Sequence, residues 1–107
     1  MKLVIAIIGS DDSAYVLDGL AQSGFYATKL STSGGFLRAG NVTLLIGVEE
    51  SKVDDVMQIL GEFSSSRKKI VAPMVTSSEL SLTSNPIEIT VGGATVFVID
   101  VEQFRKL

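Results

Sequence analysis

With 107 residues the chain has room for one compact domain, and 46% apolar residues, 20% charged residues and only 2 prolines place it in the globular range. A formal charge of −3 argues against general affinity for nucleic acid or anionic lipid, and zero cysteines and zero histidines exclude disulfides, thiolate metal sites and cysteine nucleophiles while removing the commonest general base. No apolar run approaches the roughly 18–20 residues of a membrane span, and the opening MKLVIAIIGS lacks the small-residue cleavage site of a secretory signal, so the expected compartment is the cytoplasm.

Lys2 to Ile8 is an apolar run of strand length, too continuous for a face exposed to water, and reads as a central strand buried on both sides. After Gly9, the segment SDDS offers helix caps and first-turn carboxylates, and Val16, Leu17, Leu20 and Ala21 recur at helical spacing up to Gly24. Phe25 to Leu30 resumes strand character, and Val42 to Val48 is a second buried-looking strand expected to pair with it as a hairpin. Ser51 and Asp54 match a capping box, followed by Val53, Val56, Met57, Leu60 and Phe63 at helical intervals.

The stretch SSSRKK breaks that period, Ile70 to Met74 is short and apolar, and the residues before Pro86 read as a loop. Ile87, Ile89 and Val91 alternate with Glu88 and Thr90 as in a half-exposed strand, and Gly92-Gly93 is expected to make a tight turn into Ala94 to Val101. The segments LVIAIIGSDDSAYVLDGLAQSGF and VTLLIGVEESKVDDVMQILGEF repeat one theme: apolar strand, glycine, acidic helix start, amphipathic helix, Gly-x-Phe. Two such units joined by a hairpin give the α+β, ferredoxin-like βαββαβ arrangement in a single domain, residues 1–107. Because the strands are apolar on both sides, burial of the second sheet face in a homo-oligomer is expected.

The connection TKLSTSGGFLRAGN, residues 28–41, is far longer than a hairpin turn needs, and its contents suit a phosphorylated ring compound. Gly34-Gly35 reads either as a backbone concavity for phosphate oxygens or as a turn needing positive φ, the latter favoured for an isolated pair. Phe36 and Leu37 either stack on a base or plug a partner, or pack on their own sheet, and Asn41 either matches a base edge or is an ordinary turn residue. Gly47, inside the best strand, marks a close approach to the backbone or a bulge. Asp11, Asp12, Glu49 and Glu50 would gather at one end of the sheet for Mg²⁺ or acid/base work, or simply favour two helix N-termini, which is the stronger reading. Arg67, Lys68 and Lys69 read as a solvated basic loop, and no catalytic motif is present.

MKLVIAI at the start, ATKLSTSGGFLRAGN at 27–41, IGVEE at 46–50 and VGGATVFV followed by EQF together resemble the PII-like cyclic di-AMP receptor proteins of Gram-positive bacteria, over nearly the whole chain. The resemblance implies a non-enzymatic signal-transduction sensor: a ferredoxin-like homotrimer with three equivalent clefts between subunits, each holding cyclic di-AMP or a related adenine nucleotide and modulating long loops that engage a protein target. By the same resemblance the ligand lies against Thr28, Gly35, Phe36, Leu37, Asn41 and Gly47, with Phe97 as a further contact and Ala27 and Tyr26 beside Thr28. No metal or cofactor besides that ligand is implied. Where better-known members read NFRATKL this chain reads GFYATKL, so Gly24 stands for an asparagine and Tyr26 for a ligand-holding arginine; Lys106 stands for a glutamine. These departures motivate the alternative of a PII-like trimeric protein-interaction module with weak or altered nucleotide specificity.

Overall fold

A computed structural model describes residues 1–30, 40–71 and 86–107. Their elements are β1 (Lys2–Gly9), α1 (Ser10–Gln22), β2 (Ala27–Leu30), β3 (Asn41–Val48), a 3-10 turn (Glu50–Lys52), α2 (Val53–Ser64), β4 (Arg67–Val71), β5 (Ile87–Val91) and β6 (Ala94–Asp100). Four strands form an antiparallel sheet in the order β2-β3-β1-β6, while β4 and β5 pair as a separate two-stranded ribbon. With the ribbon set aside, β1-α1-β2-β3-α2-β6 agrees with the ferredoxin-like βαββαβ connectivity, and β2 pairs with β3 as the hairpin expectation requires.

The two periods of the sequence account for the core. Val4, Ala6 and Ile8 on β1 and Leu44, Ile46 and Val48 on β3 alternate toward one face, where they meet Val16 and Leu20 of α1 and Val56 and Leu60 of α2. Each large side chain removed from water here contributes on the order of 1.5–3 kcal/mol before conformational entropy is counted. Gly19 allows α1 and α2 to pack closely, since a Cβ at that position would lie 2.6 Å from the Phe63 ring and 3.2 Å from Ile59.

The helix starts differ from the sequence expectation. Gly9 caps α1 with no side-chain bond, and the Ser10 N–H donates instead to the Gly40 carbonyl across the sheet end. The Ser51/Asp54 capping box is also absent: Ser51 lies within the 3-10 turn, Lys52 precedes α2, and the turn's own bond from Lys52 N–H to the Glu49 carbonyl, 2.9 Å, takes up a donor. The basic run Arg67-Lys68-Lys69 belongs to β4 rather than a loop. Part of the apolar run to Met74 and the loop read before Pro86 lie outside the described residues, as does most of the glycine-rich connection.

Gly92-Gly93 is not a hairpin turn. The strands on either side pair with different partners, β5 with β4 and β6 with β1, so the two glycines make a corner between ribbon and sheet. Both have positive φ, +77° and +104°, and the Gly93 N–H donates to the Ser64 carbonyl at 2.6 Å. A Cβ on Gly92 would stand 2.4 Å from Arg67 Nη1 and 2.8 Å from the Ser65 carbonyl oxygen, whereas one on Gly24, also at positive φ (+83°), meets nothing within 4 Å. Gly24→Ala therefore carries only the backbone cost, about 1 kcal/mol, while Gly92→Ala adds a clash and is expected to cost about 2–4 kcal/mol in urea unfolding. Equal costs would mean that Arg67 yields freely.

Candidate functional site

The register assembles a second, uncovered face. Directly paired residues share a face of a sheet, so Thr28, Leu45, Ile5 and Phe97 form a row across all four strands. Leu30, Thr43, Ile7 and Thr95 form a second row, and Gly47, Leu3 and Ile99 a third. This is the side away from the helices. Leu3, Ile5, Ile7 and Leu45 are half-buried by their neighbours, while Phe97 is 54% exposed and Ile99 48%. A face this apolar is unusual for a side of a sheet turned to water.

Several site residues named by the resemblance converge here. Thr28 and Phe97 lie in the central row, Gly47 lies beside Leu3, and Asn41 joins them by strand alternation at the other end of β3. Gly47 is paired with Leu3 in an unbroken register, so it is not a bulge, and a Cβ there would meet nothing within 4 Å. Among the described residues its outer side is open. Tyr26, directly before β2, is 88% exposed. Ala27 turns the other way and packs against the helix-side core, which leaves its backbone on the outer strand as what it can offer a ligand. Gly35, Phe36 and Leu37 lie outside the described residues.

The carboxylates do not gather. Because β1 and β3 are antiparallel, with Lys2 opposite Val48 and Gly9 opposite Asn41, Asp11 and Asp12 follow one end of the sheet and Glu49 and Glu50 the opposite end. Among the described residues no cluster of three metal-ligating side chains occurs. Asp12 has a different role: its carboxylate is buried in the first turn of α1 and accepts two hydrogen bonds from Arg67, at 2.8 Å and 3.5 Å. The same bonds hold the guanidinium pKa above its ordinary value. At the far end of β1, a hydrogen bond between Lys2 and Asp100 raises the pKa of the amine and lowers that of the carboxyl. Neither pair is visible in the sequence, since their partners are 55 and 98 residues apart.

Three clefts among the described residues lie elsewhere. Clefts of about 540, 350 and 530 Å³ run beside the helices and the ribbon, and none of these three is lined by Thr28, Asn41, Gly47 or Phe97. Among the described residues the candidate site is thus an open sheet surface.

A family model described as "Cyclic-di-AMP receptor" matches residues 1–107. Among solved structures, a functionally unknown protein from Pediococcus pentosaceus is similar at 42% sequence identity, with a TM-score of 0.80 over 99% of this chain and 96% of that one. A match over the full length, joined to a fold whose open face collects Thr28, Asn41, Gly47 and Phe97, places the chain in the PII-like cyclic di-AMP receptor family.

Proposed function

We propose that this protein is a cyclic di-AMP sensor that holds its ligand at clefts between the subunits of a homotrimer. The observation that carries the reading is the shared, uncovered face of Thr28, Asn41, Gly47 and Phe97. Thr28 sits on one edge strand and Phe97 on the other, three strand spacings apart, or roughly 14 Å. One base cannot touch both within a single subunit. Apposing the β2 edge of one subunit to the β6 edge of the next brings them together, and closing three subunits with these faces turned inward covers the apolar rows.

In that cleft Phe36 and Leu37 enclose an adenine, Thr28 and Asn41 hydrogen-bond polar edges, and Gly47 admits a base against the strand backbone. Gly35 supplies a backbone N–H to phosphate, and Phe97 lines the opposite wall. Ala27 contributes its backbone, and Tyr26 a ring and a hydroxyl. Ligand occupancy biases the two long connections, residues 31–39 and 72–85, toward one arrangement that a protein target reads, which requires different ligand affinity for the two arrangements. Light scattering tests the assembly: a trimer is expected, and a monomer at binding concentrations would remove the cleft.

Tyr26 favours a second reading. It is 88% exposed where the resemblance expects an arginine, so the trimer would serve as a protein-interaction module with weak or altered nucleotide specificity. Tyr lacks the planar cationic fork that grips phosphate. Tyr26→Arg is expected to tighten cyclic di-AMP binding about tenfold, close to 1.4 kcal/mol, in calorimetric titration. No gain would assign phosphate recognition to other groups.

A further inference from the structure

Asp12 and Arg67 join two parts of the chain that the ligand face does not itself connect. The Asp12 side chain is 7% exposed and that of Arg67 49%, and the pair is bidentate, with Nη2 at 2.8 Å from one carboxylate oxygen and Nη1 at 3.5 Å from the other. Arg67 Nη1 also donates to the Ser65 carbonyl at 3.2 Å and occupies the space that a side chain on Gly92 would need. Arg67 opens β4, and Gly92 follows β5, so the guanidinium lies at the base of both strands of the ribbon. On the other side, Asp12 stands in the first turn of α1, two residues after Ser10. Gly40 accepts the Ser10 N–H and directly precedes Asn41 on the ligand face.

We infer that the Asp12–Arg67 pair is a positioning device that ties the base of the β4–β5 ribbon to the chain's re-entry into the sheet at Gly40, so that ligand seated at Asn41 and the placement of the ribbon bias each other. The inference rests on the sensor reading for its ligand arm, although the mechanical tie is a property of the free protein. A bidentate pair suits the task because it fixes direction as well as distance, which a single point charge does not. Its burial on the Asp12 side makes it stiff: removing Arg67 leaves a carboxylate without its partner and frees the ribbon, an element that two strands alone barely stabilise in water. By linkage, whatever ligand binding does to the ribbon, fixing the ribbon does to ligand affinity.

The test is amide hydrogen exchange read residue by residue on the full chain, parent against Arg67→Met, each with and without cyclic di-AMP. In the free Arg67→Met protein, the ribbon amides of Lys68–Val71 and Ile87–Val91 and the Ser10 amide are expected to exchange at least about tenfold faster, with Ala6, Leu44 and Ile46 unchanged. In the parent, cyclic di-AMP is expected to slow the ribbon amides, and Arg67→Met to lose that protection. Arg67→Lys, which keeps charge without the fork, is expected to fall between the two and carries the comparison if Arg67→Met does not fold. An unchanged Ser10 amide, or equal acceleration at Ala6 and Leu44, would overturn the inference. Should cyclic di-AMP not bind the parent, the sensor reading fails, while the comparison of the free proteins still decides the tie.

Discussion

Gly47→Val is expected to weaken cyclic di-AMP binding at least about 100-fold, or roughly 2.7 kcal/mol, while leaving the subunit folded. The two halves of this expectation have separate causes. Inside the subunit a Cβ at position 47 meets nothing within 4 Å, and the residue sits in regular register opposite Leu3, so valine fits the strand and its β-branched side chain suits it better than glycine does. Unfolding stability should hold or rise by as much as about 1 kcal/mol. On the open face, however, valine would fill the space through which the proposed ligand's base reaches the β3 backbone beside Leu3. The checks are calorimetric titration for affinity and urea unfolding for stability. Unchanged affinity would show that the ligand does not approach β3 at this residue. Lost affinity with lost stability would show a structural role instead.

The largest effect on stability is expected three residues earlier on the same strand and on the other face. Leu44 has no exposed surface, and Leu44→Ala is expected to cost about 2–5 kcal/mol in urea unfolding, a large share of the roughly 5–15 kcal/mol that a domain has in total. Leu45, its immediate neighbour, points to the uncovered face and is only half-buried. If subunits associate through that face, Leu45→Ala destabilises the protein in a way that depends on protein concentration, whereas the cost of Leu44→Ala adds a component that does not. Urea midpoints at two concentrations about tenfold apart separate the cases. Equal, concentration-independent losses at both positions would mean that the subunit covers both faces by itself.

Much of this arrangement is legible in the sequence because two periods carry it. The unbroken apolar runs LVIAII and VTLLIGV, and the 3.6-residue spacing of Val16 and Leu20 and of Val56 and Leu60, predict strands and helices in their observed places. The strand-like runs before and after the long connection predict the hairpin of β2 and β3. What the sequence does not reveal depends on distant partners. Ser51 and Asp54 form a capping box on paper, yet a 3-10 turn takes their place. Gly92-Gly93 carries the signature of a hairpin turn, but the strands beside it go to separate sheets, a choice made by β1 and β4 rather than by the glycines. The carboxylate pairs look alike in sequence and fall at opposite ends because β1 and β3 run antiparallel.

The candidate site is legible in a similar, partial way. Gly47 stands out as a costly residue in a strong strand, and the structure removes the bulge as its explanation. Phe97 and Thr28 have no local signal, since their common face exists only once four strands are in register. Ala27 shows the limit of carrying a motif over as a block: within the run ATKL alternate side chains leave the site, so Thr28 faces it and Ala27 does not.

The central claim is that cyclic di-AMP binds this chain at a cleft each subunit shares with its neighbour. Calorimetric titration of the unaltered protein with cyclic di-AMP, ATP and cyclic di-GMP in parallel tests it most directly. The account predicts saturable binding of cyclic di-AMP at one ligand per subunit, with cyclic di-GMP giving little or no heat. Absence of heat from every adenine nucleotide would contradict it.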